Sequence, residues 1–221
     1  MTDVQTSSND PLAVAVRSLP GRLLQPQQGD TIYRQDEAGE HLFLIVAGYI
    51  KLTQVDRDGA ERIAGILDSD ELFGLCGENG AREHNAIAKG RTRLYRVAQR
   101  DFRGLMEKRS DLVWPVVESL SRRQRLAERR LQALLAQDVR GRIATALHDL
   151  VAHYGGRCRH GHEIDVPLTQ QEVAEMVGAS RPVVSAVLNE WRRDNLLSYT
   201  RNYICVNDLA TLRDLSIVSS S

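Results

Sequence analysis

The chain has 221 residues, 42% of them hydrophobic and 26% charged, with 29 Lys plus Arg balanced by 29 Asp plus Glu. That length suits two modest domains, and the zero net charge means that any basic surface must be local. The longest apolar run, LFLIVAGYI at 42–50, is far too short to span a bilayer, so no membrane association is expected. The N-terminus lacks a basic segment followed by an apolar one, which predicts no secretory signal and a cytoplasmic location. Three cysteines, Cys76, Cys158 and Cys205, are widely spaced and odd in number, and argue against a disulfide framework.

Residues 1–19 read as a flexible polar N-terminus and a short helix. Residues 20–110 read as a β-domain: short strand-like runs are punctuated by turn signals at Gly29-Asp30, Ala47-Gly48, Asp58-Gly59 and Asn79-Gly80. Ile50 and Leu52 alternate with Lys51 and Thr53, and Asp58-Gly59 predicts a hairpin turn. Strands at this spacing predict a sandwich or barrel.

The period then changes over 111–137. Val113, Val117, Leu120, Gln124, Ala127, Leu131 and Leu134 advance by steps of four and three, a heptad seam with one polar member. Such a stripe is narrow for a helix packed on its own β-domain and suits a two-stranded homodimer interface, with Gln124 setting register. Arg122, Arg123, Arg125, Arg129 and Arg130 fall off the seam, and Glu118 is placed to pair with Arg122.

From 138 to 221 the pattern is helical at first. Asp138 is a fitting N-cap for a helix over 139–153, with Ile143, Leu147 and Leu150 apolar. A Gly-, Arg- and His-rich stretch at 155–163 reads as a loop. Thr169 and Glu172 form a capping box for a helix over 170–177, and Gly178 and Ala179 make a turn. Ser180 is then an N-cap, and Pro182 is tolerated in the first turn of a helix over 181–194. Its apolar face is Val184, Val187, Leu188 and Trp191; the other carries Arg181, Ser185 and Asn189. A hairpin pattern follows, from Leu197 to Asn207.

Two short helices joined by a Gly-containing turn, followed by a hairpin, predict a winged helix-turn-helix. In that geometry Thr169, Gln170 and Gln171 stand at the N-terminal end of the first helix, facing phosphate. Ser180, Arg181 and Ser185 lie along the start of the second helix, where Arg181 can grip guanine O6 and N7. Asn189, Arg192 and Arg201 suit backbone phosphates, and Ala186 can touch only a thymine methyl. A symmetric dimer would place two such helices about 34 Å apart on a palindromic site in double-stranded DNA.

The order of parts resembles the CRP/FNR superfamily of bacterial transcription regulators over about 20–215. The resemblance rests on GDTIYRQDEAGEHLFLIVAGYIKL, DRDGAE, DVRGRIATAL and LTQQEVAEMVGASRPVVSAVL. It implies an α+β chain: an N-terminal cyclic-nucleotide-binding-type β jelly roll, a long dimerisation helix and a C-terminal winged helix-turn-helix. It also implies operator DNA, a second copy of the chain and RNA polymerase as partners. Cyclic-AMP-binding members carry a Gly-Glu-Leu turn for the ribose and an Arg-Ser pair for the phosphate. Here Gly74 is kept, but Leu75 replaces the Glu, Cys76 follows it, and His84 and Asn85 replace the Arg and Ser. Arg82 matches the phosphate-binding Arg only if the loop shifts by two residues. The adenine-contacting Thr-Ser pair is replaced by Ala127 and Glu128, and a carboxylate there opposes an anion. These departures argue against cyclic AMP and leave the effector unassigned. In the recognition helix only Arg181 keeps the family pattern, since Pro182 and Ala186 stand where Glu and Arg are usual.

Other sensing chemistries of the superfamily find weaker support. No Cys precedes Cys76, which excludes an N-terminal iron–sulfur set. His84 or Cys76 is a candidate axial ligand for haem, and Cys76 a candidate redox switch; neither is the favoured reading. His153, Cys158, His160 and His162 bear zinc-binding groups, but at no closed-site spacing. A P-loop, GxSxG, HExxH and a dinucleotide fingerprint are all missing, and Asp68 and Asp70 read as turn chemistry, so no enzyme is expected. The competing reading is a ligand- or redox-sensing module acting through protein contacts.

Overall fold

The computed structural model describes residues 10–76, 80–200 and 203–217. The chain divides into two units, Met1–Arg122 and Arg123–Ser221. In the first, α1 (Pro11–Arg17) starts at Asp10, whose carboxylate accepts from the N–H groups of Leu12 and Ala13 at 3.3 Å each. An antiparallel sheet follows. Its strands are β1 (Gly21–Leu24), β2 (Thr31–Tyr33), β3 (His41–Val55), β4 (Glu61–Leu67), β5 (Leu72–Phe73) and β6 (Asn85–Ala98). The order is β1-β6-β3-β4, with β2 on β6 and β5 on β3.

The run at 42–45 shows why this sequence makes two layers. Leu42 and Leu44 point into a cluster with α1, Val97, Phe102 and Leu112, while Phe43 and Ile45 point into the roll with Ile50, Phe73 and Leu94. Both strand faces are buried, so the stretch is apolar at every position rather than at alternate ones. The strands are fewer and longer than the turn signals suggested. β3 runs 15 residues through Ala47-Gly48, with irregular register between Ile45 and Tyr49 that lets one strand bend instead of ending. The predicted hairpin at Asp58-Gly59 joins β3 to β4, and the Asp56 carboxylate accepts from the Asp58 and Ala60 N–H groups.

Helix α2 (Gln99–Lys108) lies inside the stretch read as β-domain; it packs on β6, with Phe102 buried and Leu105 and Met106 partly buried against the same cluster. A 3-10 turn at Ser110–Leu112 leads into α3 (Val113–Ala136). The seven seam residues are all exposed in the single chain; Val113 is 42%, Leu120 45% and Leu131 57% exposed. The expected Glu118–Arg122 pair is not formed. Arg122 instead reaches the Glu71 carboxylate at 2.9 Å, and Glu118 accepts from the Trp114 indole N–H at 2.9 Å. Glu71 is only 5% exposed, so a cation relieves more there than on solvated Glu118.

The second unit continues with α4 (Val139–Tyr154), capped at Asp138, whose carboxylate accepts from Gly141 N–H at 2.8 Å. Then come β7 (Gly155–Cys158), β8 (Gly161–Ile164), α5 (Gln170–Val177), α6 (Arg181–Arg193), β9 (Leu197–Tyr199), β10 (Ile204–Val206) and α7 (Leu209–Ile217). The stretch expected to be a loop at 155–163 is therefore a hairpin. It takes strand form because β8 pairs on its other side with β10, giving the order β7-β8-β10-β9. Ile143, Leu147, Ile164, Val184, Trp191 and Leu212 fill this unit's core, each 2% exposed or less. Burying one such side chain contributes roughly 1.5–3 kcal/mol. Among the described residues no helix is long and apolar enough to cross a membrane.

Candidate nucleic-acid interface

The capping box forms as the sequence predicts. Glu172 N–H donates to Thr169 Oγ1 at 3.2 Å, and Thr169 N–H donates to Glu172 Oε2 at 3.0 Å. The Thr169 hydroxyl also donates to that carboxylate at 3.1 Å, so this side chain is engaged within the cap. Gln170 and Gln171 remain at the start of α5, and Gln171 reaches Glu175 at 3.0 Å. The helix ends at Gly178, whose φ of +63° is the left-handed turn that glycine adopts without strain.

Ser180 occupies the N-cap position of α6, but its hydroxyl caps nothing. Pro182 is the second residue of the helix and has no N–H to offer it. Val184, Val187, Leu188 and Trp191 turn inward, between 0% and 7% exposed. The opposite face presents Arg181, Ser185 and Asn189 one turn apart, with Asn189 Nδ2 donating to Ser185 Oγ at 3.3 Å. This is a rigid helix with a guanidinium, a hydroxyl and an amide in one outward line: five fixed donors and two adaptable donor–acceptor groups.

The helix is held from behind. Arg140 of α4 forks onto Glu190 at 2.7 and 2.9 Å, and its guanidinium carbon lies 5.7 Å from the Trp191 ring centre. At its C-terminal end, Asn195 takes a φ of +57°, and Leu196 N–H donates to Trp191 O at 2.9 Å. Strand β9 therefore starts directly off the helix. Asn207, following β10, donates to Asn195 O at 3.1 Å and fastens the hairpin's return strand to the same corner. Arg201 lies outside the described residues.

The effector-pocket candidates of the first unit are engaged differently from a phosphate site. Arg82 is 4% exposed; its guanidinium donates to the carbonyls of Gly74 and His41 (the latter at 2.7 Å) and lies 4.4 Å from the Tyr33 ring centre. Gly39 and Gly74 make this room, for a Cβ on Gly39 would overlap the guanidinium. Cys76 Sγ donates to Gly39 O at 2.9 Å, and Leu75 is 49% exposed. Asn85 ties the turn after β2 to β3, accepting from Gln35 N–H at 2.9 Å and donating to Thr53 Oγ1 at 3.3 Å. His84 is half-buried, and burial pulls its pKa below the usual imidazole value. Ala127 and Glu128 belong to the second unit, where both are exposed and Glu128 accepts from Gln124 at 2.8 Å.

The histidines noted at 153–162 diverge. His153 Nδ1 hydrogen-bonds Asp149 O at 2.7 Å, and among the described residues no His/Cys/Asp/Glu cluster could hold a metal ion. Sequence reading missed one juxtaposition, that of Cys158 and Cys205, whose sulfurs stand 2.9 Å apart. Only the strand order carries that signal.

Comparison with known proteins agrees with both units. Residues 24–109 match the family model of the cyclic nucleotide-binding domain, and residues 141–215 that of the Crp-like helix-turn-helix domain. The chain is 30% identical over 172 residues to the cAMP-activated global transcriptional regulator Vfr of Pseudomonas aeruginosa, covering 75% of this chain and 79% of that one. It is 25% identical over 219 residues to the global nitrogen regulator of Synechocystis sp., covering 95% and 97%. Its fold matches that of FixK2 from Bradyrhizobium japonicum with a TM-score of 0.79 at 17% identity, over 91% of this chain and 100% of that one. A cyclic-nucleotide-type roll, a long helix and a helix-turn-helix domain in this order place the chain in the CRP/FNR superfamily, as a transcription regulator with a helix-turn-helix DNA-binding domain.

Proposed function

We propose that the chain acts as a homodimer that binds a palindromic operator in double-stranded DNA through α6, with no requirement for cyclic AMP. The observation that carries this reading is the division of α6: Val184, Val187, Leu188 and Trp191 anchor it while Arg181, Ser185 and Asn189 face outward. Arg181 takes a guanine in each half-site, and Ser185 a neighbouring base edge. Gln170, Gln171, Ser180, Asn189 and Arg201 take phosphates, which set register without reading sequence. Thr169, engaged in its cap, positions the start of α5.

The exposed stripe of α3 supports pairing, since Val113, Val117, Leu120, Leu131 and Leu134 gain burial only against another surface. Independence from cyclic AMP is supported by Arg82, whose donors hold two backbone carbonyls, and by Asn85, which holds the turn after β2 to β3. Bound upstream of a promoter, the dimer meets RNA polymerase as its protein partner.

Selection from random duplexes followed by fluorescence anisotropy tests the reading. The expected product is a palindrome with half-sites one helical turn apart, bound without added cyclic AMP. Arg181→Ala is expected to cost about 1–3 kcal/mol on that sequence and to leave the salt dependence of nonspecific binding nearly unchanged. Binding no tighter than to a random duplex, with or without the nucleotide, would refute it.

A further inference from the structure

We propose that Cys158 and Cys205 form a peroxide-reactive thiol pair that closes to a disulfide within one chain. The two residues lie 47 positions apart in sequence, yet their sulfurs are 2.9 Å apart. They sit on β7 and β10, which do not pair with each other; β8 runs between them. On β8, Cys158 stands opposite Gly161 and Cys205 opposite Glu163, so the two cysteines lie on one face of the sheet and approach each other diagonally over that strand. Gly161 has a φ of +149°, and a Cβ there would overlap the Val206 carbonyl oxygen, so β8 and β10 run in close approach beside the pair.

The two sulfurs are chemically unequal. Cys158 is half-buried on β7, an edge strand, and the Cys205 thiol together with the backbone N–H groups of His160 and Gly161 draws its pKa below the ordinary thiol value. Cys205 is 3% exposed, and burial pushes its thiol up to about 12. The accessible sulfur is therefore the one with thiolate character, and the buried one keeps its proton.

That asymmetry sets the order of steps with hydrogen peroxide as oxidant. The Cys158 thiolate attacks one peroxide oxygen; an S–O bond forms, the O–O bond breaks, and hydroxide leaves, taking the Cys205 proton to become water. The Cys205 thiolate then attacks the Cys158 sulfenic sulfur; the S–S bond forms, the S–O bond breaks, and the second hydroxide is protonated to water. Two thiols are oxidised together by two electrons, and the peroxide is reduced to two waters. The product fastens β7 to β10, the return strand of the hairpin that follows α6.

Thiol mapping of the full-length protein tests this, and its readout is chemical, independent of any DNA affinity. The reduced chain is exposed to hydrogen peroxide, quenched by alkylation under denaturing conditions and digested. The expected result is a linked Cys158–Cys205 peptide pair, two hydrogens lighter than its parts, with Cys76 alkylated and the chain still single on a nonreducing gel. In Cys158→Ser, Cys205 is expected to stay a free thiol; in Cys205→Ala, Cys158 is expected to gain oxygen without forming a link. Circular dichroism confirms that each variant is folded, and the wild-type map stands without them. A disulfide through Cys76 or between chains, Cys158 carrying oxygen in the wild type with Cys205 still free, or both thiols intact after peroxide has oxidised Cys76 would overturn it.

Discussion

Arg140 and Glu190 face each other as a fork on a carboxylate, both nitrogen–oxygen distances under 3 Å, and so bind the recognition helix to the helix behind it. The Arg140 guanidinium holds the Glu190 carboxyl below its ordinary value. A depressed carboxylate contributes stability above its unfolded pKa and loses it as pH falls through the folded one. Arg140→Ala is therefore expected to lower Tm slightly at neutral pH and low salt, and to flatten the acid limb of a Tm–pH curve. Both partners are partly exposed, so the difference should shrink in high salt. An unchanged curve would show the fork to be inert.

Charge placed on the α3 stripe should separate the copies without unfolding either unit. Leu120 and Leu131 are 45% and 57% exposed in the single chain, so Leu120→Glu with Leu131→Glu leaves the cores intact. Each leucine that a partner buries contributes up to roughly 1.5–3 kcal/mol per copy. Sedimentation velocity is expected to show a dimer for the wild type and a monomer with unchanged circular dichroism for the double variant.

Arg82 should matter to folding. Removing it leaves the Gly74 and His41 carbonyls short of a donor inside the roll, a cost of about 1–3 kcal/mol for each unsatisfied group. Arg82→Ala is expected to lower the urea midpoint of the first unit, and Arg82→Lys to restore little, since an ammonium lacks the planar fork. A wild-type midpoint in Arg82→Ala would leave the guanidinium available to a ligand.

Asp68 supplies a pH dependence of the opposite sign. Burial, with Glu71 beside it, raises its carboxyl to about 7, against a lowering influence from Arg122. A raised carboxyl contributes stability below its unfolded pKa and loses it as pH rises through the folded value. From pH 4 to pH 7 the wild type should therefore lose stability relative to Asp68→Asn, whose amide can donate to Glu71 as the protonated acid does. Parallel Tm–pH curves would remove the assignment.

Helix α6, the capping box of α5, the long helix and the β9–β10 hairpin were legible because each writes its period or cap locally. Val184, Val187, Leu188 and Trp191 alone define the buried face of α6. Helix α2 was not legible, since its short stripe of Phe102, Leu105 and Met106 directly continues a strand-like stretch. Nor was β7–β8, whose Gly-Gly-Arg-Cys and Gly-His-Glu-Ile carry no alternation and gain strand form from β10. Ser180 as a hydroxyl cap failed because Pro182 removes a donor. Arg82, Arg122 and the Cys158–Cys205 approach are products of long-range packing: two glycines make room for one guanidinium, buried Glu71 outbids Glu118 for another, and the order β7-β8-β10 brings two thiols together.

The bare leucines of α3 have one more implication. On the proposed pairing, a chain that hides this stripe by meeting a second copy turns its own abundance into an input. Well below the concentration at which copies associate, the number of pairs grows with the square of the number of chains. A twofold rise in expression would then yield about four times as many assembled readers of a two-sided site.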